Sequence, residues 1–113
     1  MVVDDERIVR DSVVSMLKSA GYEVLSADGP RQALEIVRDS PFIHLVVADL
    51  LLPEMKGTHL IRKVLRLSPQ TACLLMTYLT DVPDVPDGVA LLGKPFSSQE
   101  LFRAIQAALT QAD

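Results

Sequence analysis

The chain has 113 residues, 49% apolar and 23% charged, with five Gly and seven Pro. This is the composition of one globular domain spanning residues 1–113, neither disordered nor collagen-like. Eleven Lys and Arg against 15 Asp and Glu leave a net charge of −4, which argues against direct nucleic-acid binding. The single cysteine, Cys73, excludes an internal disulfide framework and a Cys-rich zinc site.

Val2 and Val3 predict a first strand, cut short by the start of the chain. Asp4, Asp5 and Glu6 follow where a signal peptide would be basic and then apolar. No apolar run nears the ~20 residues of a membrane span, so the expectation is a soluble cytoplasmic domain. Val9, Val13, Met16, Leu17 and Ala20 recur at helical spacing, with Gly21 at a C-cap position. Tyr22–Ala27 reads as a short strand. Pro30 opens a second helix with Ala33, Leu34 and Val37 on its apolar face. Ile43–Ala48 is an apolar run typical of a strand buried on both faces. Leu60, Ile61, Val64, Leu65 and Leu67 mark a third helix, started near Gly57 and closed before Pro69. Thr71–Met76 and Val89–Leu92 are further strands. Ser97 with Glu100 makes a capping-box pattern before Leu101, Ile105, Ala108 and Leu109. Between Thr77 and Lys94, where another helix is due, Pro83 and Pro86 would each interrupt it. That helix is expected to be short, distorted or missing.

Alternating strands and helices of these lengths imply an α/β fold, a doubly wound parallel sheet with helices on both faces. Ligands bind such sheets beyond the C-terminal strand ends. Those ends carry Asp4 and Asp5, Asp49, Thr77, and Lys94 after Gly93. Singly, each aspartate could be a helix N-cap and Lys94 a solvated surface lysine. Together, three crowded carboxylates call for a cation to offset their repulsion, and Mg²⁺, a hard ion that keeps several waters, suits them. The remaining candidates read as structural. His44 and His59 lack metal-pair spacing, Cys73 sits inside a strand, Tyr22, Phe42 and Phe102 read as core or half-buried packing, and Arg7, Arg10 and Lys18 form a solvated face.

VVDDE at 2–6, VVADLLLPEMKG at 46–57, MT at 76–77 and GKPF at 93–96 together resemble the receiver domain of two-component response regulators. The resemblance implies a flavodoxin-like five-stranded sheet of order 2-1-3-4-5. It implies that Asp49 accepts a phosphoryl group from a phosphohistidine of a sensor histidine kinase or histidine phosphotransfer protein. Mg²⁺ would be held by Asp5 and Asp49, by Asp4 through water, and by the backbone carbonyl of Leu51. Thr77 would bond a phosphoryl oxygen, Lys94 would pair with the phosphoryl group or Asp49, and the Lys94–Pro95 bond would be cis. Three departures stand out: Tyr78 follows Thr77 where the family usually has a small residue, Leu91 replaces the usual switch aromatic, and Tyr78–Gly88 is several residues short. In receivers the side chains two after the acceptor and two after the Thr flank the path of hydrolytic water; here these are Leu51 and Leu79.

Two rival readings follow from the same residues. A Mg²⁺-dependent phosphohydrolase with Asp49 as nucleophile would need a second acid two residues on, and Leu51 offers none. A pseudo-receiver would keep the fold as an interaction module without phosphorylation, as Tyr78 and the damaged fourth helix allow. Against it stand Asp4, Asp5, Asp49, Thr77 and Lys94, all retained. The implied domain is either free-standing or part of a hybrid kinase or larger regulator, with the short first strand favouring the latter.

Overall fold

The structure is a computed structural model that describes residues 1–112; Asp113, the last residue of the expected domain, lies outside them. In chain order the elements are β1 (Val2–Val3), α1 (Arg7–Ser19), β2 (Ser26–Ala27), α2 (Pro30–Asp39), β3 (Leu45–Asp49), α3 (Gly57–Leu67), β4 (Ala72–Thr77), β5 (Ala90–Gly93) and α4 (Ser98–Ala112). All strand pairings are parallel, in the order β2-β1-β3-β4-β5. This is the doubly wound sheet expected from the sequence.

Side chains alternate between the two faces of a strand, which splits the core into two layers. Val46 and Ala48 of β3, with Cys73 and Leu75 of β4, pack under Ala33 and Val37 of α2 and Leu60, Ile61 and Val64 of α3. Val47, Leu74 and Met76 face the other way, against Val13 and Leu17 of α1 and Leu101, Ile105 and Ala108 of α4. Both faces of β3 and β4 are therefore dry, which is why those strands read as unbroken apolar runs.

Local chemistry sets the helix ends. Gly21 takes φ +93° just past α1, and the Gly21 and Tyr22 amides donate back to the Lys18 and Leu17 carbonyls, a left-handed C-terminal stop that glycine accommodates without strain. At α4 the capping box is complete. The Glu100 amide donates to Ser97 Oγ at 3.1 Å, and the Ser97 amide donates to Glu100 Oε1 at 3.0 Å.

One expectation is corrected and one is resolved. The strand read over Tyr22–Ala27 shrinks to Ser26–Ala27, because β1 supplies only Val2 and Val3 as pairing partners. The fourth helix, expected to be short, distorted or missing, is missing: no helix lies between β4 and β5. Pro83 and Pro86 remove backbone donors, and Asp84 and Gly88 adopt φ of +60° and +81°, outside the right-handed helical region. Val82 and Val89 from this segment instead lean on the α2–α3 core layer. Leu91, which registers with Leu75 on that face, is left 44% exposed.

Candidate functional site

Because every strand is parallel, their C-terminal ends share one edge. Val3 pairs with Ala48, so Asp4 and Asp49 leave the sheet side by side. Thr77 pairs with Gly93, and the Lys94 amide continues that ladder to the Thr77 carbonyl at 2.7 Å. The Lys94–Pro95 bond is cis. Lys94 Nζ lies 3.0 Å from Asp49 Oδ1 and 3.7 Å from Asp4 Oδ2, with the lysine side chain only 4% exposed. One oxygen from each of Asp4, Asp5 and Asp49 falls within 4.8 Å of the others. Asp4 and Asp49 are buried and Asp5 is exposed, leaving the cluster open on the Asp5 side. Thr77 is buried, and its Oγ1 accepts from the Leu79 amide at 2.8 Å, which leaves its hydroxyl hydrogen to donate. Leu51, two residues past Asp49, forms an isolated antiparallel bridge with Lys56 at the mouth of the β3–α3 connection.

The electrostatics of this edge are unbalanced. Asp4 Oδ1 accepts from the Glu6 amide at 2.9 Å, but the buried Oδ2 has no hydrogen-bond partner among the described residues. Burial pushes the Asp4 carboxyl above its ordinary value, against the opposing pull of the Glu6 amide and the Lys94 charge. For Lys94, burial works to lower the ammonium, but the hydrogen bond to Asp49 and the charges of Asp49 and Asp4 outweigh it, and the value is raised. The lysine is thus held protonated between two carboxylates. Three carboxylates served by one ammonium leave net negative charge in a small volume. A hard divalent cation fits that donor set; directly or through its own water it would give Asp4 Oδ2 the partner it lacks.

Some positioning groups carry no signature in the sequence. Arg10, expected on the solvated face of α1, is half-buried and its Nη1 donates to the Asp4 carbonyl at 2.7 Å. That is a correction: the guanidinium ties α1 to the carboxylate-bearing turn. Gly57 packs so tightly under β3 that an added Cβ would collide with the Asp49 carbonyl oxygen and approach Leu75 Cδ2 to 2.8 Å. The Tyr78 ring, 69% exposed, lies with its centroid 5.2 Å from Lys94 Nζ, a cation–π arrangement that the dipeptide Thr77-Tyr78 does not advertise. Most of the remaining residues behave as expected of structural ones. His44 is exposed and edge-on to Phe42 at 4.8 Å. His59 is exposed on α3. Phe102 is half-buried, but Tyr22 and Phe42, read from the sequence as core or half-buried packing, are corrected to exposed at 38% and 43%. Cys73 is buried. None of the helices among the described residues is long and apolar enough to cross a membrane.

Comparison with known proteins places this arrangement in a family. Residues 1–106 match the response regulator receiver domain. The response regulator receiver protein CpdR of Brucella abortus is 29% identical over 99% of this chain and 97% of its own length. A probable transcriptional regulator, ycf27 of Porphyridium aerugineum, is 34% identical over the whole chain, but over only 48% of its own length. The chain likewise spans about half the length of several other curated relatives it matches. Among solved structures, a CheY-like receiver domain protein from Methanospirillum hungatei superposes with a TM-score of 0.85 at 26% identity, covering 98% of this chain and 92% of that one. The receiver domain of the hybrid histidine kinase CckA superposes at 0.82 with 27% identity, covering 96% and 95%. The chain belongs to the response regulator receiver domain family of two-component signalling.

Proposed function

We propose that residues 1–113 act as one phosphoacceptor unit in which Asp49 receives a phosphoryl group from a phosphohistidine of a sensor histidine kinase or histidine phosphotransfer protein. The observation that carries this reading is Lys94 Nζ at 3.0 Å from Asp49 Oδ1, within a cluster of three carboxylates. In the transfer an Asp49 carboxylate oxygen forms the new bond to phosphorus in line with the breaking P–N bond, and the imidazole leaves. Lys94 places positive charge beside the attacking carboxylate. The Thr77 hydroxyl supplies a donor to a phosphoryl oxygen. Asp4, Asp5 and Asp49, with the backbone carbonyl of Leu51, would hold Mg²⁺, which when bound offsets charge on the equatorial oxygens. Arg10 and Gly57 position this machinery by fixing the Asp4 turn and the end of β3. The chain promotes its own phosphorylation and slow dephosphorylation and is not a turnover enzyme on a separate substrate. It would act in the cytoplasm.

The test is a titration with beryllofluoride and Mg²⁺, read by amide shifts around Asp49, Thr77 and Lys94. Saturable shifts in the parent that vanish in Asp49→Asn support the reading; absence of shifts in the parent refutes phosphate acceptance. Independently, Asp5→Ala should weaken Mg²⁺ binding by about tenfold or more, since removing one of few direct ligands costs at least ~1.4 kcal/mol. An Asp5→Ala protein that titrates like the parent would remove Asp5 from the metal site.

A further inference from the structure

The missing helix leaves a groove, and the charges around it are sorted. Although acids outnumber bases in the chain as a whole, residues 55–80 contain no Asp or Glu. Within that stretch α3 and the residue before it carry Lys56, Arg62, Lys63 and Arg66; the next base is Lys94. The segment that follows, 81–88, holds Asp81, Asp84 and Asp87 and no base. Between α3 and Leu79–Asp84 lies a groove of about 590 Å³. Leu51, Met55, Leu79 and Val82 give it an apolar floor, with Leu51 and Leu79 left 61% and 51% exposed. Lys56, His59, Arg62 and Lys63 form its α3 wall; its acids are Glu54 and, on the opposite lip, Asp84.

We propose that this groove docks an acidic amphipathic helix of a partner protein, which supplies in trans the helical layer this chain lacks between β4 and β5. The volume lies in the range of natural binding clefts and accepts the large apolar side chains that a helix presents one turn apart. The α3 wall selects a helix whose carboxylates run along the flank facing Lys56, Arg62 and Lys63. The flank facing Asp84 must be neutral or basic, so the seat has a direction. One hydrogen bond joins the two lips of the groove. Arg62 Nη2 donates to the Asp84 carbonyl, and Asp84 sits at φ +60°, a left-handed conformation uncommon for a non-glycine residue. A partner carboxylate is a stronger, charge-assisted acceptor for Arg62 than a neutral carbonyl, so docking exchanges that bond and releases Asp84. The groove adjoins the Asp49 carboxylate cluster through Leu51 and Leu79, but none of Asp4, Asp5, Asp49, Thr77 and Lys94 lines it.

The experiment titrates the ¹⁵N-labelled full chain with a synthetic helical peptide of about 18 residues, long enough to hold helix in water, with Leu at one-turn spacing and Glu along one flank. Controls are the same peptide with Lys for Glu and a scramble of the original. Saturable amide shifts confined to 51–63 and 79–84 are expected, with binding at least about tenfold weaker for the Lys peptide and for the Arg62→Glu, Lys63→Glu double variant. Lys56→Glu, in the exposed connection before α3, should weaken binding in the same direction if the double variant fails to fold. No shifts, shifts elsewhere on the fold, or equal binding of the Lys or scrambled peptide overturns the proposal. So does movement of the same amides when the protein alone is concentrated, which would identify a second copy as the occupant.

Discussion

On the proposed function, a phosphoryl group on Asp49 would be lost when water attacks in line, opposite the leaving carboxylate. The residues flanking that path in receivers are here Leu51 and Leu79, both exposed, and neither side chain can hydrogen-bond a water. The Leu79 amide is already committed to Thr77 Oγ1, and the Tyr78 ring stands over Lys94 beside the same approach. A lost water-positioning group costs a factor of ten to a hundred, or roughly 1.4–2.7 kcal/mol of barrier. The phosphorylated chain should therefore dephosphorylate slowly, which suits a domain that stores signal or returns it to a kinase. Release of phosphate after removal of the donor, in Mg²⁺, should take far longer than seconds and should quicken in Leu51→Asn. A parent half-life of seconds, or no acceleration in the variant, contradicts the assignment. At this scale the sequence was readable for the groups the structure brings together, because Asp4, Asp5, Asp49, Thr77 and Lys94 all sit at strand ends. Arg10 and Gly57 were unreadable in that role: one acts through a side chain reaching back to a carbonyl, the other through space it leaves empty.

The elements differ in how firmly local chemistry holds them. At α4, Ser97→Ala removes the hydroxyl that accepts the Glu100 amide and should cost about 1 kcal/mol, read as a lower urea midpoint. Glu100 adds a pH signature. The Ser97 backbone amide, and then its hydroxyl, hold the Glu100 carboxyl below its ordinary 4.5. A depressed folded value contributes stability that is fully present above pH 4.5 and lost as pH falls through the folded value. The gap in urea midpoint between parent and Glu100→Gln should accordingly be open at pH 7 and close in acid; a gap that widens in acid would reverse the sign. The β4–β5 connection lies at the other extreme, with two prolines and two residues at positive φ. Amides across Asp81–Gly88 should exchange with solvent at least about a hundredfold faster than those of β4, and strong protection there would contradict the picture. Pro83 and Pro86 made this loss of helix visible in the sequence. The overlong reading of β2 shows the opposite case, since propensity over Tyr22–Ala27 cannot reveal that β1 offers only two residues to pair with.

For the molecule as a whole, the site and the core are parts of one sheet, and a single thiol reports on both. Cys73 lies near the start of β4, between β3 and β5, in the layer with Val46, Leu75 and Ile61. Thr77 ends the same strand, and Asp49 pairs with Met76 across the β3–β4 ladder. Burial pushes the Cys73 thiol up to about 12, so neither thiolate nor access exists in the folded state. Reaching the sulfur requires β4 to leave the sheet, which also dismantles the Asp49–Lys94 pair. For a domain with stability in the usual 5–15 kcal/mol range, the open population is about 10⁻⁴ or less, and labelling at pH 8 should be slowed in proportion when reclosing outpaces reaction. On the proposed function, beryllofluoride with Mg²⁺ would bind only the folded site and would lower that population further by the factor 1 + [L]/Kd, about a hundredfold and ~2.7 kcal/mol at a ligand excess of 100 Kd. Labelling by a thiol-specific disulfide reagent should slow by that same factor, and Asp49→Asn should abolish the slowing while leaving Cys73 protected. If the reagent reacted at the same rate with and without the ligand, β4 would be opening locally, and the site and the core would not share one cooperative unit.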